Sequence, residues 1–241
     1  MINKIFDCLK EEKEMQLKGG LYHYTQIKFA YNTNRIEGSR LTEEQTRYIY
    51  ETQTISTGDN ETANVDDIVE TINHFSCFNY LLGIANEPLS ENIIKEFHKL
   101  LKSGTTDSRK DWFKVGDYKL KPNIVGDTET AKPSEVKSKM DKLISEYIKN
   151  KNTDINKIID FHYAFEKIHP FQDGNGRVGR LIMFKECLMN SIVPFIIEDQ
   201  FKQFYYMGLN EYPKSKIRLT ETCLNGQDAY KEIIKYFEIS L

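Results

Sequence analysis

The sequence predicts a mainly α-helical domain that carries one small β-hairpin. Apolar residues recur at intervals of three and four over most of the 241 residues, which is the spacing of an amphipathic helix. This spacing is lost between residues 105 and 132, where glycine and proline interrupt the pattern. A chain of this length is sufficient for one domain with a hydrophobic core of its own.

The first half of the chain is predicted to form five helices, over residues 3–18, 22–37, 42–52, 65–82 and 91–102. Gly38 ends the second helix, because glycine readily adopts the left-handed backbone that terminates a helix. Thr42 and Gln45 have the spacing of a capping box, in which each side chain bonds the backbone of the other residue. Ser90 is the N-cap expected for the fifth helix.

The second half is predicted to begin with the hairpin, within residues 118–125 and between Gly116 and Gly126. The helical period then returns. We expect further helices over residues 133–148, from 155 to the histidine at 169, over 178–190, and around 200–212 and 227–239.

Composition and charge argue against two classes of partner. Lys and Arg number 33 against 36 Asp and Glu, a net charge of −3, so nothing suggests a nucleic-acid partner. No apolar run approaches the ~20 residues of a membrane-spanning helix. Residues 1–14 carry charges throughout and do not resemble a signal peptide. The four cysteines are far apart, which predicts free, mostly buried thiols. Together these features favour a cytoplasmic protein.

The chemistry is concentrated in residues 169–180, which read His-Pro-Phe-Gln-Asp-Gly-Asn-Gly-Arg-Val-Gly-Arg. Gly174 and Gly176 stand where a helix begins, so its first backbone N–H groups are free and a phosphate can approach them closely. His169 has an unperturbed pKa of about 6.5 and is suited to accept a hydroxyl proton. Asp173 suits Mg²⁺ held by one carboxylate together with phosphates and waters, or caps the following helix.

Three other side chains of this stretch are candidates for phosphate contacts. Asn175 is expected to donate its amide to a phosphate oxygen. Arg177 and Arg180 are three residues apart on the predicted helix and are expected to bind the β- and γ-phosphates through their forked guanidinium groups. A Walker-type loop, the usual alternative for ATP, is not present: the stretch from Gly126 to Pro133 lacks the second glycine and the Ser/Thr.

Residues 169–180 resemble the motif His-x-Phe-x-Asp/Glu-Gly-Asn-Gly-Arg-x-x-Arg of the Fic (filamentation induced by cAMP) family, and all eight specified positions match. The resemblance implies a Fic-type helical domain with a β-hairpin flap. It also implies the transfer of AMP from ATP, with Mg²⁺, to a hydroxyl side chain of a protein, with His169 as the catalytic base. It divides the chain into an N-terminal helical region (1–60), a catalytic core (61–212) and a C-terminal helical extension (213–241).

A second signature of the family, Ser/Thr-x-x-x-Glu-Gly/Asn, is matched from Thr33 to Gly38. The two specified side chains lie one helical turn apart on the same face. By resemblance this is an inhibitory helix, of about residues 22–38, whose Glu37 pairs with Arg180 and keeps ATP in an unproductive pose. Glu37 as an ordinary surface charge is the alternative.

The resemblance extends to the hairpin and to a tyrosine pair. Residues 116–126 resemble the family's flap, whose edge strand binds the target protein by main-chain hydrogen bonds. The residues expected to border the nucleotide are Val125, Gly126, Asp127, Thr128, Tyr205 and Tyr206. One of the two tyrosines is expected to serve the core alone.

Three functions therefore stand open. The leading one is an autoinhibited protein adenylyltransferase that modifies a target and also itself. The reverse reaction, removal of AMP from a modified protein with Glu37 orienting water, is the second, and a non-catalytic nucleotide-binding module is the third. GTP, UTP or CDP-choline can replace ATP in some members of the family, and homodimers are frequent among them.

Overall fold

The computed structural model describes residues 3–58, 62–126, 128–149 and 152–239. Within these ranges ten α-helices account for most of the chain: α1 (Asn3–Met15), α2 (Leu21–Ile36), α3 (Glu43–Thr52), α4 (Val65–Gly83), α5 (Glu91–Lys102), α6 (Pro133–Ile148), α7 (Ile155–Ile168), α8 (Asn175–Met189), α9 (Lys202–Glu211) and α10 (Ile217–Tyr236). Two short strands, β1 (Ile124–Val125) and β2 (Thr128–Glu129), separate α5 from α6. The prediction of a mainly α-helical fold with a small hairpin is confirmed.

Helix α8 lies at the centre of the fold. Every residue from Asn175 to Leu188 is buried, and the helix packs against α2, α4, α5 and α7. Phe184 shows how it is held, since its ring lies 5.2 Å from that of Phe29 on α2 and 5.4 Å from that of Phe78 on α4. Because the first turn of α8 carries the glycine motif, the packing that builds the core also fixes the position of the motif.

The main core also draws on both ends of the chain. Ile5 and Leu9 of α1, and Tyr230 and Ile234 of α10, belong to the same apolar cluster as Phe184. These helices therefore pack directly onto the core that positions the site.

The turn before α8 is bounded by two residues with left-handed backbones. His169 ends α7 with φ 51°, and Gly174 precedes α8 with φ 82°. Pro170 cannot continue a helix, so α7 stops at the histidine. The His169 imidazole therefore lies at the C-terminal end of α7, beside the first free N–H groups of α8.

The position of the hairpin differs from the prediction. The strands do not lie within residues 118–125; Ile124 pairs with Glu129 and Val125 with Thr128 in antiparallel register. The preceding segment is fixed to the motif loop instead, since the Lys119 N–H donates to the Pro170 carbonyl over 2.9 Å. Lys119 Nζ also donates to Asn123 Oδ1 and Thr130 Oγ1, over 2.7 and 2.6 Å, which closes the base of the hairpin.

The last helix is longer than predicted. It begins at Ile217 rather than near residue 227, and Gly226 lies inside it. A Cβ at position 226 would lie 2.6 Å from the Ile196 carbonyl oxygen, so glycine here permits close packing and does not mark a helix end. The sequence pattern alone does not distinguish these two uses of glycine.

Two further expectations concern the chain as a whole. Across the part of the chain that the structure describes, no helix is both long and apolar enough to span a membrane. All four cysteines are free thiols; Cys77, Cys187 and Cys223 are buried and Cys8 is partly buried. The thiols pack as small apolar groups, as the sequence predicts.

Candidate active site

The loop between α7 and α8 is closed by a single side chain. Asn175 Oδ1 accepts from the Phe171 N–H over 2.8 Å, and Asn175 Nδ2 donates to the Phe171 carbonyl over 2.9 Å. Asn175 therefore has a structural role, since both ends of this buried amide bond the loop's own backbone. The second N–H of the amide is not used in these bonds, and the phosphate contact expected of it stays a prediction.

His98 supports the same loop from α5. Its ring stacks on Phe171 with centroids 4.0 Å apart and planes inclined by 3°. His98 Nδ1 accepts from the Gly116 N–H over 3.0 Å, so Nε2 carries the proton and donates to the Asp173 carbonyl over 3.2 Å. Burial lowers the pKa of His98 to about 3, and the imidazole is a neutral structural part of the loop.

Glu37 lies in the glycine cradle at the first turn of α8. A Cβ at position 176 would overlap the Glu37 carboxylate, so only glycine leaves room for this group. The side chain of Glu37 is 25% exposed, and it approaches from the end of α2. An acidic side chain of the chain itself thus lies at the helix terminus that favours anions.

Arg180 is held by the residues of the predicted inhibitory signature. Its Nη2 donates to Glu37 Oε1 over 2.6 Å and to the Thr33 carbonyl over 3.1 Å, while Nε donates to Thr33 Oγ1 over 2.6 Å. The Arg180 side chain is only 2% exposed. The structure therefore brings Thr33 and Glu37 to Arg180, from which they are 147 and 143 residues apart in the sequence.

Arg177 is likewise paired with acids. Its Nη1 bonds Glu70 of α4, and its Nη2 lies 3.3 Å from Asp173 Oδ2. Lys102 of α5 bridges the same two carboxylates and contacts Asp173 Oδ2 at 2.6 Å. Each of the two arginines predicted to bind phosphate thus has a carboxylate partner in this structure.

Asp173 fits Mg²⁺ as one ligand among several. The neighbouring Arg177 and Lys102 hold the pKa of its carboxyl well below the usual range, against the opposing effect of burial, and its side chain is 47% exposed. The cap of α8 is Gly174, so Asp173 does not serve as the N-cap. The described residues contain no group of three or more His, Cys, Asp and Glu that could hold a metal. Phosphates and waters would have to complete the coordination shell, which is the usual arrangement for Mg²⁺.

Three of the six residues expected at the nucleoside end line one cavity of about 230 Å³. Val125 and Gly126 line it from the hairpin, and Tyr206 lines it from α9. Thr128 belongs to β2, and Asp127 lies outside the described residues. Tyr205 instead is 1% exposed and packs in the core, so one tyrosine of the pair faces the cavity and the other does not.

Comparison with known proteins agrees with this arrangement. The model of the Fic/DOC family matches residues 88–187, which include α5, the hairpin and the whole motif loop. Residues 88–187 are a Fic/DOC family domain.

Relatives of this Fic domain cover most of the chain. The chain is 28% identical over 197 residues to "Protein adenylyltransferase Fic" of Nematostella vectensis, and this match covers 78% of the chain and 43% of the relative. The chain is 25% identical over 222 residues to "Protein adenylyltransferase fic-1" of Caenorhabditis elegans, and this match covers 87% of the chain and 42% of the relative. The chain thus spans less than half the length of these curated relatives.

Solved structures share the fold over nearly the full chain. A Fic domain containing signaling protein from Bacteroides thetaiotaomicron has a TM-score of 0.75 at 22% identity, covering 100% of this chain and 98% of that one. Fic-1 of C. elegans has a TM-score of 0.76 at 19% identity, covering 98% and 72%.

The histidine of this Fic domain is neutral at physiological pH. Burial lowers the pKa of His169 to about 4, and the nearby Lys119 ammonium acts in the same direction, while Glu37 and Asp173 oppose it. Its side chain is 16% exposed. A neutral imidazole at the mouth of an anion site is in the protonation state that a general base requires.

Sequence reasoning missed three residues of the Fic site. Glu70 and Lys102 lie on separate helices, and no motif connects either of them with Asp173. Glu166 also lies beside the site, and here a signal was available: it is on the same face of α7 as His169, three residues earlier.

Proposed function

We propose that this chain is a protein adenylyltransferase that transfers AMP from ATP to a Ser, Thr or Tyr hydroxyl of a protein, including itself. One observation carries the proposal: a neutral His169 lies beside the glycine-opened N-terminus of α8, with Arg180 one turn further along that helix. The names of the relatives, all protein adenylyltransferases in the two comparisons above, support the same activity.

In the proposed reaction, His169 accepts the proton of the target hydroxyl as its oxygen attacks the α-phosphorus. A bond forms between that oxygen and phosphorus, the bond to the β-phosphate bridging oxygen breaks, and pyrophosphate leaves with the electron pair. The backbone N–H groups at Gly174–Gly176 and the guanidinium of Arg180 stabilise the phosphate charge. Asp173 would hold Mg²⁺, which neutralises phosphate charge when it is bound.

The activity is proposed to be restrained by Glu37. Its carboxylate fills the cradle that phosphate needs and occupies the guanidinium of Arg180, with which it forms a 2.6 Å ion pair. Thr33 adds two hydrogen bonds to the same guanidinium. Arg180 is thus available to a γ-phosphate only after the end of α2 moves away.

The nucleoside is proposed to bind in the cavity between the hairpin and α9, bordered by Val125, Gly126, Thr128 and Tyr206. The target segment is proposed to pair with the edge of the hairpin. Ile124 and Val125 of β1 are 65% and 49% exposed, and exposed apolar side chains on a strand suit β-augmentation. Such main-chain pairing positions a hydroxyl residue with little dependence on its neighbours, so targets of varied sequence are expected.

Intact-mass spectrometry after incubation with ATP and Mg²⁺ tests the transfer. The proposal expects the protein, or an added target, to gain one AMP unit on a hydroxyl side chain. His169→Ala abolishes this gain, whereas ATP binding measured by calorimetry persists. GTP, UTP and CDP-choline tested in parallel identify the donor. Nucleotide binding with no transfer from any donor, even in the Glu37→Gly variant, would leave the non-catalytic module as the remaining function.

The reverse reaction is the second candidate, and the position of Glu37 favours it. A 25% exposed carboxylate over Gly176, within electrostatic reach of His169, is placed to orient a water molecule toward a phosphodiester. A target pre-labelled with AMP would lose its label with the wild-type chain and retain it with Glu37→Gly. Equal loss with both proteins removes this candidate.

A further inference from the structure

Three side chains on one face of α7 and its C-terminal end have buried polar atoms without a hydrogen-bond partner. His162, Glu166 and His169 are spaced four and three residues apart, so they follow one another along the helix. The unpaired atoms are His162 Nδ1, Glu166 Oε1 and His169 Nδ1. Unpaired buried polar atoms are rare and costly in native proteins, so three neighbours together indicate a network.

The distances between these groups fit such a network. Glu166 Oε2 lies 4.0 Å from His169 Nδ1, too long for a hydrogen bond, but a small side-chain rotation would close the gap. On the other side, a Cβ at Gly179 would lie 2.7 Å from His162 Nδ1 and 3.0 Å from Glu166 Oε1. Both atoms therefore approach the same point on α8, which only a glycine leaves free.

The direction of the hydrogen bonds can be followed from Arg180. An arginine only donates, and its Nη1 donates to the Tyr205 hydroxyl oxygen over 3.4 Å. His162 Nε2 lies 2.7 Å from the Tyr205 oxygen. In the tautomer that continues this chain, the Tyr205 O–H donates to Nε2 and the proton of His162 is on Nδ1. His162 Nδ1–H then lacks an acceptor, and Glu166 Oε1, which approaches the same point on α8, also lacks a partner.

We propose that Glu166 is the positioning residue of His169: its carboxylate accepts from His162 Nδ1–H and from His169 Nδ1–H, which leaves His169 Nε2 free to accept the target's proton. This inference rests on the proposed function, in which His169 is the base. Glu166 also lines the cavity proposed for the nucleoside, but in the role proposed here its carboxylate acts through His169 and takes no part in the bond changes. The same logic operates wherever a carboxylate fixes the tautomer of a catalytic histidine.

The protonation of Glu166 decides which tautomer forms. As a neutral acid it donates its own proton to His169 Nδ1, and Nε2 then carries hydrogen and cannot act as a base. Burial and, secondly, the negative charge of Glu37 raise the pKa of Glu166 to about 8, whereas Arg180 lowers it. In the resting state the negative charge of Glu37 raises the pKa of Glu166 directly and also offsets the positive charge of Arg180. The inhibitory contact therefore also keeps Glu166 protonated.

Other groups surround the dyad and must be included in any account of its titration. Glu166 faces Glu37, Arg180 and His162, and it also acts on the phenols of Tyr205 and Tyr206. His169 faces Lys119, Glu37, Asp173 and the backbone carbonyl of Glu166. That carbonyl is a second acceptor for His169 Nδ1–H, and the experiment must separate it from the carboxylate.

Histidine ¹⁵N chemical shifts of His169 provide a test that needs no activity. The wild-type protein is expected to hold the Nδ1–H tautomer above the pKa of about 8 and to shift toward Nε2–H below it. Glu166→Gln removes this pH dependence, because an amide does not ionise. If the backbone carbonyl alone set the tautomer, the shifts of Glu166→Gln would match the wild type, and the proposal would be wrong.

Transfer kinetics provide the second measurement, made in the Glu37→Gly background so that the rate is high. Glu166→Gln is expected to lower the rate by roughly 10- to 100-fold, part of the ~10²–10⁴ that a general base contributes. It should also remove the rise in rate that belongs to Glu166, whose midpoint in this background lies below 8 because Glu37 no longer raises the pKa of Glu166, and leave only the rise at lower pH that belongs to His169. An unchanged pH profile contradicts the proposal.

Glu186→Gln is the matched control. Glu186 is a buried carboxylate of α8 that bonds Lys185 at 2.8 Å and Tyr147 at 2.9 Å, away from the dyad. Its loss perturbs a buried network to a similar degree and leaves the pH profile unchanged. Thermal unfolding confirms that each variant is folded. If no variant transfers AMP, the proposed function fails, while the ¹⁵N shifts still decide whether Glu166 sets the tautomer.

Discussion

Replacing Glu37 with glycine tests the proposed inhibitory contact most directly. The substitution removes the carboxylate from the cradle at Gly176 and breaks its 2.6 Å ion pair with Arg180. Glu37 is the residue at the end of α2, so a glycine there disturbs the helix little. The expected result is faster AMP transfer at unchanged fold.

The magnitude follows from the surroundings of the pair. Arg180 is 2% exposed and Glu37 25%, so the pair is partly buried and is stronger than the ~0–1 kcal/mol typical of surface ion pairs. A hydrogen bond to a charged group contributes about 1.5–3 kcal/mol. Since each tenfold in rate corresponds to ~1.36 kcal/mol, release of the pair should accelerate transfer by roughly 10- to 150-fold.

Radiolabelled ATP provides the assay, with label incorporated into the chain and into an added target as the readout. Glu37→Gln keeps the size of the side chain and loses its charge, so it should give most of the acceleration. Glu44→Gln changes an exposed carboxylate of α3 and serves as the control, with no effect expected. Equal labelling by the wild type and Glu37→Gly would refute the inhibitory role of this contact.

Three further predictions concern the loop, the end of α2 and the buried acid. Asn175→Ala leaves the Phe171 N–H and carbonyl unpaired in a buried loop. It should lower the free energy of unfolding by about 2–4 kcal/mol, measured by chemical denaturation. A smaller loss than that of an exposed Asn→Ala control would contradict the structural role of Asn175. Tyr206→Phe removes the 2.9 Å hydrogen bond from the Tyr206 hydroxyl to the Ile36 carbonyl. Because a neutral hydrogen bond of ~0.5–1.5 kcal/mol then no longer holds the end of α2 in place, basal AMP transfer should rise by about 2- to 13-fold. Glu166 has a folded-state pKa raised from 4.5 to about 8, so its contribution to stability is complete below 4.5 and is lost as the pH rises toward 8. The free energy of unfolding of the Glu166→Gln variant should therefore fall less steeply over this pH range than that of the wild type.

Much of the fold could be predicted because local signals and tertiary packing agree. The capping box at Thr42 and Gln45 is present in full, and it starts α3 at the expected residue. The hairpin and the start of α10 were placed wrongly, since both depend on contacts distant in sequence. Lys119 is held by the motif loop, and Gly226 is required by the Ile196 carbonyl. Neither contact can be predicted from the residues adjacent to it in the sequence.

Less of the site could be predicted, for the same reason. The motif identifies the residues of the cradle but not the partners that set their charge. Arg177 is paired by Glu70, and Glu70 shares Lys102 with Asp173. These four side chains come from three helices and the motif loop, so only the packing of α4, α5 and α8 brings them together. The contact between Glu37 and Arg180 was predictable because the family signature specifies both the helix and the glutamate.

The resting site is thus an anion site already filled by the chain's own acids. Glu37 occupies the cradle and Arg180, while Glu70 and Asp173 share Arg177. An entering triphosphate would exchange its oxygens for the Glu37 carboxylate but would leave Glu70 in place, because Glu70 is 13% exposed and bonds two buried cations. Glu37 is therefore expected to displace only the γ-phosphate, which needs Arg180. The α-phosphate would lie near His169 in either case. On this reasoning Glu37→Gly should raise the turnover number more than it raises the affinity for ATP. A gain confined to ATP affinity would mean that Glu37 excludes the whole nucleotide.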